Sequence, residues 1–361
     1  MYFHGAVMTK PMALILQGGG ALGAFEYGVV TGLVEEGWHP RVVTGVSIGA
    51  INAASIAGAK GGDIPASLHR MWDAITLPAM PLLPAVVQAN MSLLGNPKFW
   101  QSRTDYWNML SWNSLCSTAP MHRTLAAQLD FEQLNDPLHI RFGVAATSLH
   151  SGGQVTFSNY TAKEAHIDTG HHKAVRTRLT PAHVLASGSL PPGFPATRID
   201  GKDYWDGGLF SNTPIDSLLN LLEPDEIDTL PIFVVDLFPT DDQPSPTNLL
   251  EVQTRATALQ YQNRFWAQYG GSGRLEGFLA MLAALESVAD GTELEGMPSF
   301  AWLMRLRALK NVQVIASTPA AAGGDHDFSS GGVRNLYEAG RAAARQHLAR
   351  SSGRPALRAA A

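Results

Sequence analysis

The chain is poor in several features that would each have named a chemistry. A single cysteine, Cys116, stands in 361 residues, so no internal disulfide can form and a reducing compartment fits. No catalytic pattern surrounds that thiol, and an inert, half-buried residue is expected there. Charged residues make up only 16% of the sequence and the formal net charge is −5. That balance lacks the basic excess of a nucleic-acid binder and gives no strong pull towards anionic membranes. No apolar run approaches the ~20 residues of a membrane-spanning helix. The run 12–16 is also too short for a secretory signal and leads straight into a glycine loop, so a cytoplasmic protein, at most peripheral on membranes, is expected. His-Glu-x-x-His is missing. His171-His172, with His166 nearby, is a weak metal signal, because adjacent residues of a strand face opposite ways. No metal or other cofactor is expected.

Apolar residues, by contrast, make up 45% of the sequence, ample for a large core. Strand and helix patterns alternate along most of the chain, which predicts an α/β fold with a mainly parallel sheet flanked by helices. Residues 13–16 read as a short buried strand, 42–44 and 140–147 as further strands, and 154–158 as a partner strand after the Ser151-Gly152-Gly153 turn. Residues 231–238 form a near-continuous apolar run, the mark of a central strand buried on both faces. Asp236 at its end is a second acid near the site or, more plainly, a capping aspartate.

Two glycine motifs follow the first strands. Gly45-Val46-Ser47-Ile48-Gly49 lies between the β-branched run 42–44 and a small-residue helix pattern at 50–57. In that context a Gly-x-Ser-x-Gly is a sharp turn that presents a serine hydroxyl. Upstream, Gly18-Gly19-Gly20-Ala21-Leu22-Gly23 follows a strand and opens a helix pattern carried by Phe25, Val29, Val30, Leu33 and Val34. Successive glycines leave backbone N–H groups unshielded, as an oxyanion hole requires, and the helix dipole reinforces such a site. The competing reading is a dinucleotide-binding Gly-x-Gly-x-x-Gly with Glu35 or Glu36 as its acid; against it, the second strand ends in Thr44 and the serine turn. A third motif, Asp206-Gly207-Gly208, ends an aromatic strand pattern and puts a carboxylate on a tight loop; a simple hairpin turn competes with it.

In this order and context, the three motifs resemble the patatin-like phospholipases. The stretch 186–195 (Ala-Ser-Gly-Ser-Leu-Pro-Pro-Gly-Phe-Pro) and the tail Ser211-Asn212-Thr213-Pro214 are similar to that family too. The resemblance covers residues 11–237 clearly and extends more weakly to Asp327-Phe328-Ser329 before the last helix. It implies a modified α/β-hydrolase sheet, hydrolysis of lipid acyl esters through an acyl-enzyme, and a Ser–Asp dyad without histidine. Ser47 would be the nucleophile, Asp206 its base, and the amides of Gly18, Gly19 and Gly20 the oxyanion hole. Gly23, Gly45, Gly49, Gly207 and Gly208 would shape the loops. Many members carry a basic residue where this chain has Ala21 and Leu22. Burial among Tyr204, Trp205, Leu209 and Phe210 would raise the Asp206 pKa and strengthen it as a base. The chain order Ser47, Asp206, His326 leaves a triad as the alternative enzyme, and a silent lipid- or nucleotide-binding module is the alternative from another class.

A single catalytic domain is expected over 10–349. Residues 64–135 break the strand–helix rhythm with apolar, proline-punctuated and tryptophan-rich sequence. They read as a mostly helical insertion burying its own aromatics or as a cap over the site that touches the bilayer interface. Helices are predicted over 248–269, 275–288 and 333–348, with 246–310 a helical elaboration and 350–361 a disordered tail. The expected partner is a phospholipid or other lipid ester, met by transient contact with a lipid surface; nucleic acid is not expected, and oligomeric state is not encoded in these patterns.

Overall fold

The computed structural model describes residues 9–351 apart from 164, 166–167, 169, 240–244, 263–272, 290 and 318–323. His166, the loop 270–272 and the tail beyond 351 lie outside the described residues.

Its strands, in chain order, are β1 (Lys10–Leu16), β2 (Trp38–Gly45), β3 (Gln101–Ser102), β4 (Cys116–Ser117), β5 (Arg141–Ser148), β6 (Gln154–Ser158), β7 (His172–Arg176), β8 (Thr197–Ile199), β9 (Lys202–Asp206), β10 (Ile232–Asp236) and β11 (Val312–Ala316). Nine of them form one sheet in the order β11-β10-β1-β2-β5-β6-β7, with β9 on β5 and β8 on β9; β3 and β4 pair separately. The half from β11 to β5 is parallel throughout. Every residue of β10 is buried, as its unbroken apolar run requires of a strand covered on both faces. Asp236 caps the turn after β10 by accepting the Phe238 N–H at 3.0 Å.

Helix α1 (Gly23–Glu35) follows β1, and α2 (Ile48–Ala57) follows β2. Alanine, serine and glycine make α2 slim enough to lie buried along its whole length. The C-terminal helix (Ser330–Ser351) packs on α1 so closely that a Cβ on Gly28 would lie 2.0 Å from the Tyr337 carbonyl oxygen. A Cβ on Gly340 would meet the Phe25 carbonyl oxygen at the same distance. One core fills this face of the sheet; a second, with Leu218, Leu222, Leu230 and Ala308, covers the other.

The stretch 64–135 divides. Helix Ile64–Ile75 turns Leu68, Met71 and Trp72 into the main core, where Trp72 Nε1 donates to Asn52 Oδ1 at 2.8 Å. Helix Ala119–Gln128 likewise buries Met121 and Leu125 there. The middle, 77–117, buries no apolar side chain fully in that core and meets it only through the partly buried Leu77, Phe99 and Trp100. The predicted C-terminal helices are found at Leu249–Tyr261, Gly273–Ala289 and Ser330–Ser351.

Candidate active site

Strand pairing brings the two candidate side chains together. β6 occupies one edge of β5, pairing Gly143 to Thr147. The other edge is shared end to end by two strands: β2 runs up to Gly45 opposite Val144, and β9 runs the opposite way to Asp206 opposite Ala146. Ser47, just past the end of β2, therefore meets Asp206, the last residue of β9. The turn between them and the strand is tight. Ser47 has φ 54° and ψ −122°, a left-handed backbone that a serine adopts only at a cost of about 1–3 kcal/mol. Its N–H is held by both the carbonyl (3.0 Å) and the hydroxyl (3.1 Å) of Ser187. Gly49 permits this turn, since a Cβ there would lie 2.4 Å from the Leu16 carbonyl oxygen. The half-buried Ser47 side chain stands at the N-terminus of α2, whose positive end favours negative charge developing there.

Asp206 is 2% exposed. Burial pushes its carboxyl up to about 6, while the nearby Ser47 hydroxyl and the Gly208 N–H pull it back. Oδ1 accepts that N–H at 2.8 Å. Oδ2 is buried with no partner at ordinary hydrogen-bond distance among the described residues, and the Ser47 hydroxyl is near enough to act on the carboxyl. The backbone is fixed on both sides, its N–H on the Ser189 carbonyl at 3.0 Å and its carbonyl on Thr147 Oγ1 at 2.8 Å. A Cβ on Gly207 would meet the Ala145 carbonyl oxygen at 2.2 Å, which seats this loop directly on β5.

The glycine loop lies across from the pair. The three glycines differ. Gly18 donates its N–H to Asn212 Oδ1 at 2.9 Å. Those of Gly19 and Gly20 have no protein acceptor among the described residues. Gly20 has φ 56°, and a Cβ on it would lie 2.1 Å from the Asp325 carbonyl oxygen, which accepts the Ala21 N–H at 2.8 Å. Gly23 then starts α1 against the Ile48 side chain. Underneath, the fully buried Glu26 accepts from the Gln17 N–H at 2.6 Å and from Asn52 Nδ2 at 2.9 Å. Burial holds its carboxyl well above the usual range.

Ser47, Asp206 and the three glycines line one cavity of about 320 Å³. Ile48, Ile51, Leu190, Phe194 and Phe238 give it apolar walls, and Leu93, Phe99 and Trp100 bring residues of the 77–117 stretch to it. Trp100 packs edge-on against Phe328 at 5.4 Å and beside Phe194 at 5.8 Å. Phe99 and Trp100 of this stretch thus line the cavity, while other apolar residues of it are bare, Trp107 at 88% and Leu82 at 98% exposure. Tyr261 also borders the cavity; burial, with Asp206 and Asp325 near, pushes its phenol up to about 12.

His326 lines the same cavity, but its Nδ1 lies 3.3 Å from Asp325 Oδ1, and that contact raises its pKa. Its ring makes no hydrogen bond to Asp206 among the described residues. His172 Nε2 pairs with Thr156 Oγ1 at 2.9 Å in the sheet, whereas His171 is exposed. Among the described residues no three His, Cys, Asp or Glu side chains converge as a metal site would require, and no helix is long and apolar enough to cross a membrane. Sequence reasoning did not single out Ser187, Glu26, Tyr261 or the engagement of Asn212; the Ser187 and Asn212 bonds span 140 and 194 positions, whereas Glu26 accepts from Gln17 only 9 positions away. Asn212 carried a signal only as part of a motif tail.

The sequence model of the patatin-like phospholipases matches residues 14–219, more than half of the chain. No curated protein sequence matches it. Among solved structures, the chain is similar to VipD from Legionella pneumophila at 15% identity and a TM-score of 0.39, over 93% of this chain and 67% of that one. It is also similar to human GIVD cytosolic phospholipase A2, solved with methyl gamma-linolenyl fluorophosphonate, at 13% identity and a TM-score of 0.30, over 63% of this chain and 40% of that one. The chain belongs to the patatin-like phospholipase family, and with it to the lipid acyl hydrolases.

Proposed function

We propose that the protein is a serine hydrolase of phospholipids or other lipid esters, of the phospholipase A or lysophospholipase type, working through a Ser47–Asp206 dyad without a cofactor. The observation that carries this reading is the pairing of a strained, half-buried serine with a buried carboxyl, opposite two open amides in an apolar cavity. Ser47 Oγ attacks the ester carbonyl carbon and its proton passes to Asp206. The carbonyl oxygen, now an oxyanion, is held by the N–H groups of Gly19 and Gly20. Collapse breaks the bond to the alcohol, which takes the proton from Asp206, leaving acyl-Ser47. Water then enters, gives a proton to Asp206 and attacks the acyl carbon; release of the fatty acid returns that proton to Ser47. A carboxyl near 6 is ionised at neutral pH yet basic enough to accept a proton, and one group serves both half-reactions.

A cavity of about 320 Å³ stands at the small end of ligand pockets (about 300–1,000 Å³), which suits one acyl chain better than a whole lipid. The head group then stays outside, at a lipid surface. Bare apolar residues of the 77–117 stretch, which also sends Leu93, Phe99 and Trp100 to the cavity, include Leu94, Trp107 and Leu110; they support transient contact of a peripheral, cytoplasmic enzyme with that interface.

The test is hydrolysis of p-nitrophenyl butyrate and labelling by a fluorophosphonate. Wild type is expected to be active, and Ser47→Ala and Asp206→Asn to lose activity by about 10³-fold or more while His326→Ala keeps it. Loss in a folded His326→Ala would replace the dyad with a triad. Absence of both hydrolysis and labelling in wild type would favour a silent binding module.

A further inference from the structure

Asn212 is buried where three segments of the site meet. Its Oδ1 accepts the Gly18 N–H at 2.9 Å, and its Nδ2 donates to the Gly18 carbonyl and to the Tyr261 carbonyl, each at 3.1 Å. The partners fix the orientation of the carboxamide: turned over, it would set its NH₂ against an N–H and its oxygen against two carbonyls. Beside it, Gln17 Nε2 donates to Thr213 Oγ1 at 2.8 Å, and the Leu237 N–H donates to Gln17 Oε1 at 2.9 Å. Consecutive residues 17–18 are thereby seamed to 212–213, and the end of β10 is tied in. There is no slack at the joint, since a Cβ on Gly18 would lie 2.8 Å from Asn212 Oδ1 and 2.9 Å from Ser47 Cβ.

We infer that Asn212 is a positioning residue: it registers the glycine loop against the Asp206 loop and, by engaging the Gly18 N–H, leaves those of Gly19 and Gly20 as the pair open to an oxyanion. The inference rests on the hydrolase reading of Ser47 and Asp206. Asn212 borders the cavity, but both its amide hydrogens and its oxygen are already engaged by backbone, so it acts through Gly18. The reaction needs two fixed distances at once, from Ser47 Oγ to the acyl carbon and from two amides to the oxyanion. A shift of ~1 Å in such a geometry costs about 10²-fold, and full loss of one donor about 10²–10³-fold. Loss of the clasp also leaves the buried Gly18 N–H without an acceptor, which drives the loop to rearrange. The effect belongs in kcat, because the oxyanion exists only in the transition state and the tetrahedral intermediate, whereas the apolar walls that bind the acyl chain stay in place.

The experiment compares Asn212→Ala, which deletes the clasp, with Asn212→Asp, which keeps its shape but sets an oxygen against two carbonyls. Three quantities are read: kcat and KM for p-nitrophenyl butyrate, Tm, and hydrogen–deuterium exchange over 17–20 and 258–261. Both variants should lose about 10- to 100-fold in kcat with KM held within about threefold, and both should exchange faster over 17–20. The inference is overturned if a folded variant keeps kcat within about twofold, if KM carries the loss, or if exchange over 17–20 is unchanged. A lowered Tm with unchanged kcat would reduce Asn212 to an ordinary structural contact. Should wild type neither hydrolyse the ester nor take up the fluorophosphonate, the hydrolase reading falls, and the exchange measurement alone then decides whether Asn212 holds the glycine loop.

Discussion

On the proposed dyad mechanism Asp206 ties activity and stability to a single proton, and the two are expected to move in opposite directions. Its folded-state pKa of about 6 stands above the ~3.9 of an unfolded aspartate. The folded protein therefore binds this proton more tightly than the unfolded chain does. Stability from this group is greatest below about pH 4, is lost as pH rises from about 4 to 6, and stays low above that. A difference of about 2 units corresponds to ~3 kcal/mol carried as a cost at neutral pH. Asp206→Asn keeps the shape and the bond from the Gly208 N–H but removes the charge. At pH 8 it should be more stable than wild type by up to about 3 kcal/mol, or about 4 °C in Tm for a chain of this length. The advantage should vanish by about pH 4. Activity runs the other way: wild-type kcat/KM should climb about tenfold per unit up to about pH 6 and level off, while the variant is inactive throughout. Tyr261, Asp325 and His326 line the same cavity as this carboxyl; neutral Tyr261 adds no charge below its own pKa of about 12. Differential scanning fluorimetry from pH 4 to 8, beside the pH–rate profile, reads both arms. A variant no more stable than wild type at pH 8, or a kinetic pKa at or below about 4, would refute the reasoning.

Two further outcomes are expected. Ser47→Gly and Ser47→Ala should both be inactive, but the glycine variant should be more stable by about 1 kcal/mol, because relief of the left-handed backbone outweighs the greater chain entropy of glycine; equal Tm values would mean that the turn stores no strain. Glu26→Ala should cost about 3 kcal/mol, since it opens a cavity and strips the Gln17 N–H of its acceptor. Chemical denaturation checks this, and a loss below about 1 kcal/mol would count against it.

What the sequence made legible was local chemistry. Gly45, Ser47 and Gly49 stand out because a strand cannot turn into a helix so sharply without small residues at those points, and the apolar run ending at Asp236 can only be a strand covered on both faces. The divided fate of 64–135 was not legible. Helix Ile64–Ile75 has a clear apolar face, but nothing in its periodicity says whether Trp72 meets its own neighbours or the main core. The bond between Gly18 and Asn212 spans 194 positions and depends on β9 running antiparallel to β5, a choice of sheet topology. The same holds for the distinction among Gly18, Gly19 and Gly20, which are alike in sequence and unlike in what their amides meet.

The grip of the C-terminal segment on the glycine loop has a consequence in time. Asp325 anchors the Ala21 N–H, and the helix Ser330–Ser351 clamps α1, although each lies some 300 residues further along the chain. A ribosome thus releases the serine turn, the aspartate loop and the bare tryptophan surface long before the part that braces the glycine loop. A nascent chain whose Ser47 and Asp206 segments have emerged still lacks the contacts that Asp325 and the helix Ser330–Ser351 make with the glycine loop and α1. A chain cut before Asp325 is therefore expected to keep its exposed apolar residues while losing the brace on the Ala21 N–H.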